Sequence, residues 1–190
     1  MAVFQDLVNS GRYSFLIDTA LPTLFLKKGV THFASKKRRE IFEKTAEQTL
    51  ELLYNHPSIC YYTLFNEGWG QYDTARVYKK IKALDTTRIW DAASGWFFSE
   101  DNEGISEHVY FKPIKTKSDG TKPAVISEFG GYSYKIDNHS FNLSNTYGYR
   151  YFTEREAFEQ AITKLYLDEV VPAIKNGVCA SVITQVSDVE

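Results

Sequence analysis

Two glutamates stand out in the sequence, because each follows a short strand-like apolar run and is itself followed by glycines. Glu67 comes after residues 59–65 and Asn66, whereas Glu128 comes after residues 124–127. A buried parallel strand gains nothing from a carboxylate at its carboxyl end, since burying an unpaired charge is costly. Glycosidic bond cleavage, in contrast, needs one carboxylic acid to protonate the leaving oxygen and a second carboxylate to attack the anomeric carbon or activate water. The pair therefore predicts a sugar-cleaving site.

The neighbours of the two glutamates favour this prediction over the alternative, in which each glutamate only caps a helix or pairs with an arginine. The amide of Asn66 could hold a sugar hydroxyl beside the scissile bond. Gly68 and Gly70 allow a sharp turn that exposes the indole of Trp69. Two glycines at 130–131 permit the same close approach after Glu128.

Composition excludes several other classes of function. The chain has 190 residues and is 43% hydrophobic, which predicts one domain with a substantial core. Its 22 basic and 24 acidic residues give a net charge of −2, so we expect neither a nucleic-acid nor a membrane partner. We expect Cys60 and Cys179 to be buried free thiols. Together with the lack of a signal-like N-terminus, they predict a cytoplasmic protein.

Short apolar runs alternate with amphipathic helical segments along the chain. We expect strands at residues 2–5, 58–65, 88–93, 107–111, 124–127 and 178–185, and helices at 35–54, 74–84 and 153–175. Ser35 is the expected N-cap of the first helix, whose buried stripe should include Ile41 and Leu50. Thr153 and Glu156 predict a capping box at the start of the third helix.

This alternation predicts a parallel α/β fold. The loops after the strands are long, notably 100–106 and 129–152, and α/β barrels carry their catalytic residues in such loops. A doubly wound sheet is the competing architecture, but no Gly-x-Gly-x-x-Gly fingerprint follows any strand. We therefore favour a barrel, although six strands do not close an eight-stranded one.

The order of these segments resembles glycoside hydrolase family 2, the β-galactosidase and β-glucuronidase group of retaining (β/α)8-barrel enzymes. Residues 3–6 resemble that family's third strand, and His-Pro-Ser at 56–58 followed by Asn-Glu-Gly-Trp-Gly at 66–70 resembles its fourth. Residues 91–96, 108–110 and Ser-Glu-Phe-Gly-Gly at 127–131 resemble the fifth, sixth and seventh strands, and 184–190 the eighth.

The resemblance implies a role for each residue that matches the pattern. Glu67 would be the general acid/base, and Glu128 the nucleophile that forms a covalent glycosyl-enzyme. Asn66 would bind the substrate 2-hydroxyl, and Tyr110 would orient Glu128. His108 lies two residues before Tyr110, so both should share one strand face.

Other candidate substrate-binding residues have equally good structural roles. Trp69 and Trp96 could be sugar platforms or core side chains. Asp91 could bind a sugar hydroxyl or cap the following turn, and Asp188 and Glu190 could reach the same rim. No His/Asp/Glu cluster has metal-ligand spacing, so we expect no metal or other cofactor; only the resemblance allows magnesium or sodium, which some family members bind.

The resemblance begins at the third strand, so the sequence predicts an α/β, incomplete (β/α)8 TIM barrel with strands three to eight only. Residues 1–190 would form a partial catalytic domain, truncated on the N-terminal side and just after the last strand. Its partners would be a carbohydrate substrate and the missing remainder of the barrel and β-sandwich domains.

The expected activity is retaining hydrolysis of β-linked sugars, weak or absent in the isolated chain. One alternative is a non-catalytic remnant that binds carbohydrate or a partner. Another is an inverting enzyme, with carboxylates roughly 6.5–9.5 Å apart rather than roughly 5–5.5 Å. The sequence does not specify which sugar is cleaved.

Overall fold

A computed structural model of the chain describes residues 2–9, 16, 35–97, 99–140, 142 and 144–185. It divides into two compact units, residues 1–106 and 107–190. The strands are β1 (Val3–Asp6), β2 (Ile59–Thr63), β3 (Ile89–Asp91), β4 (Ile105–Val109), β5 (Ala124–Gly130), β6 (Tyr132–Tyr134), β7 (Arg150–Phe152) and β8 (Val178–Thr184). The helices are α1 (Lys36–Leu53), α2 (Thr74–Lys82), α3 (Arg155–Leu165) and α4 (Val171–Lys175). Among the described residues, no helix combines the length and apolar character that crossing a membrane requires.

The first unit contains a parallel three-stranded sheet in the order β1-β2-β3. β2 is almost entirely buried, as a strand covered on both faces should be. Tyr62 on β2 pairs in register with Trp90 on β3, and their rings stack with centroids 4.9 Å apart. The three strands expected in this half of the sequence are thus confirmed.

Helix α1 begins where the sequence predicts, because the Ser35 hydroxyl accepts a hydrogen bond from the backbone N–H of Arg38. Its buried stripe consists of Phe42, Ala46 and Leu50, which are spaced four residues apart and therefore share one face. The expectation that Ile41 belongs to this stripe is wrong, since it is 55% exposed. Ile41 precedes Phe42 by one residue, which rotates it by about 100° around the helix.

A charged network joins α1 to α2. The carboxylate of Glu43 accepts hydrogen bonds from Arg76 at 2.8 Å, Lys80 at 2.8 Å and the Tyr72 hydroxyl at 3.2 Å. The hydrogen bond from Arg76 is the largest cause that lowers the pKa of Glu43, and Lys80 adds to it. Together they outweigh the partial burial that opposes them and bring this pKa down from 4.5 to about 2.

We predict that Glu43→Gln lowers the free energy of unfolding by about 2 kcal/mol near neutral pH, a value that allows for solvent screening of the half-exposed cations. Because the folded-state pKa is depressed, this stabilisation is fully present above pH 4.5. It disappears as the pH falls towards about 2. Urea unfolding at several pH values measures the difference. Glu47→Gln is the matched control, since Glu47 pairs with Lys80 but is 40% exposed. Equal effects of the two substitutions, or no loss of the difference in acid, would contradict the prediction.

A second three-stranded sheet has the order β4-β5-β8, in which β5 and β8 are parallel. Apart from the first two residues of β4, it belongs to the second unit. β4 ends two residues earlier than the sequence suggests, and β5 runs three residues further, to Gly130, where it still pairs with Thr184. Glu128 consequently lies inside β5 rather than just beyond it. The register shifts between Ile126 and Phe129, so β5 has one extra residue relative to β8 there.

Two short strands lie within the segment that the sequence predicts as a loop. β6 and β7 pair in parallel. Phe158 on α3 covers this pair, with ring centroids 5.8 Å from Tyr134 and 5.7 Å from Phe152. The paired residues are 18 positions apart in the sequence, so the local sequence pattern does not predict this strand pair.

The third predicted helix is present but not continuous. A π-helical turn, Tyr166–Val170, separates α3 from α4. The expected capping box at Thr153 is wrong, because the helix has Glu154 as its N-cap and that side chain makes no cap hydrogen bond. The predicted stop is confirmed: α4 ends at Lys175 with Asn176 as its C-cap, and Gly177 adopts φ 91°.

The predicted α/β fold class is confirmed, and the described strands form separate sheets rather than a closed barrel. The expectation of two buried thiols is wrong: Cys179 is exposed and Cys60 is half-buried, although both are free cysteines. Asp188 and Glu190, with the rest of 186–190, lie outside the described residues.

Candidate active site

Glu67 lies on a sharp turn that begins where β2 leaves its sheet. Beyond β2, two backbone hydrogen bonds still join the chain to β3 and the residues after it. The N–H of Leu64 donates to the carbonyl of Asp91 at 2.8 Å, and the N–H of Ser94 donates to the carbonyl of Phe65 at 2.9 Å. Glu67 then adopts φ 50°, a left-handed conformation that is uncommon for a residue other than glycine. Such strain is concentrated at functional sites. Glu67 is also buried, with only 8% of the residue exposed to solvent.

The glycine after Glu67 is required by both conformation and space. Gly68 has φ 77°, and a Cβ atom there would collide with the ring of Phe97. Phe97 itself is buried. A side chain at 68 would therefore displace either the turn that presents Glu67 or the aromatic ring that supports it.

Asn66 is oriented by a partner that sequence reasoning did not identify. The Ser94 hydroxyl donates a 2.7 Å hydrogen bond to Asn66 Oδ1, and the two residues form a parallel bridge. With its oxygen engaged in this way, the amide presents its nitrogen as the donor for a ligand. Ser94 lies just after β3, and this position after a strand is the one feature of the sequence that could have suggested a role for it.

The three remaining candidates of the first unit differ in accessibility. Trp96 is 48% exposed, whereas Trp69 is half-buried and its indole nitrogen is buried. Asp91 is fully buried, and its Oδ2 accepts a 3.1 Å hydrogen bond from the Tyr61 hydroxyl. Burial raises the pKa of Tyr61, and the charge of Asp91 adds to this effect, so the phenol stays protonated as a donor. The hydrogen bond from Tyr61 gives Asp91 a contact that neither of its two expected roles includes.

Glu128 belongs to the second unit and lies at the irregularity in β5. Two side chains contact the same oxygen of its carboxylate: the Tyr110 hydroxyl donates a hydrogen bond to Oε2, and His108 Nδ1 lies 3.3 Å from Oε2. The imidazole is nearly inaccessible to solvent, whereas the Glu128 side chain is 23% exposed. The sequence-based expectation that His108 and Tyr110 share a strand face agrees with these contacts.

A second tyrosine supports Tyr110 from the segment after β6. The Tyr149 ring packs edge-on against Tyr110, with centroids 4.7 Å apart. Its backbone N–H donates a 2.7 Å hydrogen bond to the carbonyl of Gly131, where an added Cβ atom would collide with the Tyr149 ring. Sequence reasoning missed Tyr149, because it lies in a tyrosine-rich loop without periodicity and its contacts come from distant parts of the chain.

The two units together contain parallel strands, helices and the two glutamates, Glu67 on the turn after β2 and Glu128 within β5. The family model described as "Glycosyl hydrolases family 2, TIM barrel domain" matches residues 32–136. This match covers more than half of the chain, which therefore belongs to glycosyl hydrolase family 2.

Two solved structures are similar in fold. The crystal structure of a Bacteroides uniformis beta-glucuronidase matches with a TM-score of 0.57 at 16% identity, covering 96% of this chain and 26% of that one. Bacteroides uniformis beta-glucuronidase 2, covalently bound to cyclophellitol-6-carboxylate aziridine, matches with a TM-score of 0.55 at 15% identity and the same coverage. The chain thus spans about a quarter of the length of these structures. Curated protein sequences gave no significant match.

Proposed function

We propose that the chain carries the catalytic residues of a retaining β-glycosidase, with Glu67 as general acid/base and Glu128 as nucleophile. The observation that carries this proposal is the environment of Glu128. A hydroxyl and an imidazole both contact one oxygen of this carboxylate, and the two contacts together fix the orientation of the group. A carboxylate that only neutralised a neighbouring cation would not need this arrangement.

The proposed reaction has two steps. In the first, the Glu67 carboxylic acid protonates the glycosidic oxygen while a Glu128 oxygen attacks the anomeric carbon; the bond to the leaving group breaks and a glycosyl ester forms. In the second, the Glu67 carboxylate takes a proton from water, which attacks the same carbon and releases the sugar from Glu128. Both carboxyl groups return to their initial protonation states.

The other site residues would act on the substrate or on the two carboxylates. Asn66 would donate its amide hydrogen to the substrate 2-hydroxyl, since Ser94 occupies its oxygen. Trp69 and Trp96 would form the sugar platform. His108 and Tyr110 would be positioning residues for Glu128, because they contact its carboxylate.

The substrate class is a β-glycoside, and the two similar structures make a β-glucuronide the first sugar to test. One of those proteins forms a covalent complex with a carboxylate-bearing cyclophellitol aziridine. The chain shares only 15% identity with that protein, so β-galactosides, β-mannosides and β-glucosides belong in the same panel.

The experiment that tests this function follows the anomeric proton of the sugar released from activated aryl β-glycosides, by NMR at high protein concentration. Retention requires the β-anomer to appear first and then mutarotate. The α-anomer as first product would identify an inverting enzyme. No release from any sugar of the panel is also the expected result if the isolated chain is inactive, and covalent labelling of Glu128 by an activated fluorinated glycoside then separates this case from the non-catalytic carbohydrate-binding alternative.

We predict that Tyr110→Phe slows glycosyl-enzyme formation about tenfold or more, because a hydrogen bond to a charged group contributes about 1.5–3 kcal/mol. The aromatic ring, and hence the packing against Tyr149, is retained, so the midpoint of urea unfolding should hardly change. Tyr151→Phe is the matched control, since its hydroxyl contacts only the Gly148 carbonyl among the described partners. The same rate in both variants would contradict the positioning role.

A further inference from the structure

The π-helical turn between α3 and α4 has no part in the catalytic roles proposed above. It comprises Tyr166–Val170, and the N–H of Val171 donates to the carbonyl of Tyr166, five residues earlier. Such turns interrupt α-helices most often at functional sites. The wider turn also changes which of the following side chains face the sheet. Its side chains therefore require an explanation beyond helix formation.

One side chain of the turn binds the segment that begins with Tyr110. The Glu169 carboxylate accepts a hydrogen bond from the N–H of Ile114 at 2.7 Å through Oε2. Residues 110–114 lie between β4 and β5 in a stretch without regular structure, so their position depends on contacts of this kind. A hydrogen bond to an ionised carboxylate is among the stronger ones in proteins. Glu169 therefore fixes this segment to the helix.

A second side chain of the turn packs against the strand that contains Glu128. The Tyr166 ring meets Phe129 edge-on, with centroids 5.6 Å apart, and Phe129 is fully buried. Phe129 directly follows Glu128, at the point where β5 regains its register with β8. The extra residue before it disrupts the ladder of hydrogen bonds locally. Packing from the π turn consequently supports the strand where the ladder is weakest.

Both contacts lie around one cavity of about 230 Å³. Its lining combines the segment after β4, the end of β5 and the helix, and it includes Tyr110, Gly130, Leu165 and Glu169. Tyr110 also donates a hydrogen bond to Glu128 Oε2. The π turn is thus connected to both members of this hydrogen-bonded pair, to one through Glu169 and to the other through Tyr166.

We propose that Glu169 is a positioning residue, which keeps the Tyr110 hydroxyl within hydrogen-bonding distance of Glu128 by holding the segment after β4. It acts through Tyr110 rather than on the substrate. Without the Glu169 contact the segment has more freedom, so the tyrosine hydroxyl should spend less time on the carboxylate. The proposal rests on the proposed function insofar as Glu128 is the nucleophile.

The first test is spectroscopic, so that it does not depend on catalysis. The ¹³C resonance of a tyrosine Cζ atom moves when its hydroxyl loses a hydrogen bond, and Tyr110→Phe identifies the Tyr110 signal by removing it. We expect Glu169→Ala to shift this signal and to reduce the protection of the Ile114 amide against hydrogen exchange. Glu169→Gln retains an acceptor for the same N–H and should restore both properties.

Two further variants show whether the effect belongs to this hydrogen bond. Ile114→Pro removes the donor instead of the acceptor and should shift the Tyr110 signal as Glu169→Ala does. It decides the question if Glu169→Ala does not fold. Asp168→Ala is the matched control, because Asp168 lies in the same turn with its side chain 60% exposed. A Tyr110 signal that is unchanged without the hydrogen bond, or equally shifted in Asp168→Ala, would overturn the proposal.

The second test is a double-mutant cycle on covalent labelling of Glu128 by an activated fluorinated glycoside. Glu169→Ala should slow labelling about fivefold, the size expected for residues coupled in one network. In the Tyr110→Phe background it should have no further effect, because the hydroxyl that it positions is absent. A residue that only stabilises the fold would slow labelling by the same factor in both backgrounds, and this result would overturn the proposal.

The two proposals can fail separately. A Tyr110 signal that depends on Glu169, in a folded chain that no glycoside labels, would support the positioning role and reject the catalytic function. Labelling of Glu128 in a chain whose Tyr110 signal is indifferent to Glu169 would do the reverse.

Discussion

Replacing Glu128 by glutamine should slow glycosyl-enzyme formation by a factor on the order of 10⁴ or more, comparable to the loss of any covalent nucleophile. The amide has nearly the same shape and can still accept from Tyr110, so the fold and the substrate contacts should survive. What is lost is the negative charge that attacks the anomeric carbon and forms the ester. Stopped-flow or discontinuous assays with an activated aryl β-glycoside measure the rate.

The control for this prediction is Glu156→Gln, an exposed carboxylate in the first turn of α3. It should react at the unsubstituted rate. If Glu128→Gln also retained most of the activity while unfolding at the same urea concentration, Glu128 would not be the nucleophile.

Replacing Glu67 by glutamine should produce a loss that depends on the leaving group. General acid catalysis contributes about 10²–10⁴-fold, and only substrates whose leaving oxygen needs a proton require it. Glycosides with an alkyl or sugar leaving group should therefore lose about that factor in the first step. A 2,4-dinitrophenyl glycoside should lose much less, because its phenolate leaves without protonation.

The stability of Glu67→Gln should be measured together with its kinetics, because residue 67 has a left-handed backbone that a substitution could disturb. Glutamine matches glutamate in size and branching, so the φ of 50° should be tolerated equally. Glu51→Gln, on the exposed face of α1, is the matched control. An equal loss for both leaving groups would contradict an acid/base role and would indicate a general effect on binding or folding.

The sequence predicts the elements that present the two glutamates because their signals are local. Ser35 caps α1 as expected, and the buried run of β2 leads directly to the Glu67 turn. The glycine after Glu67 is also readable, since a left-handed turn at 67–68 favours that residue.

The parts that could not be predicted depend on contacts between distant residues. The extra residue in β5 at Glu128 is defined only by pairing with β8, some fifty residues later. Ser94 holds Asn66 across two strands, and Tyr149 reaches Tyr110 from the far end of a long loop. Periodicity reports which face of an element is buried, but it contains no information about such partners.

The most direct test of the central claim is covalent trapping followed by peptide mapping. The chain is incubated with an activated 2-deoxy-2-fluoro-β-glycoside or a cyclophellitol aziridine, digested, and examined by tandem mass spectrometry. We predict one adduct, located on Glu128, absent from Glu128→Gln and unaffected by Glu156→Gln. An adduct on a different residue, or a folded chain that remains unlabelled by every sugar of the panel, would contradict the assignment of Glu128 as the nucleophile.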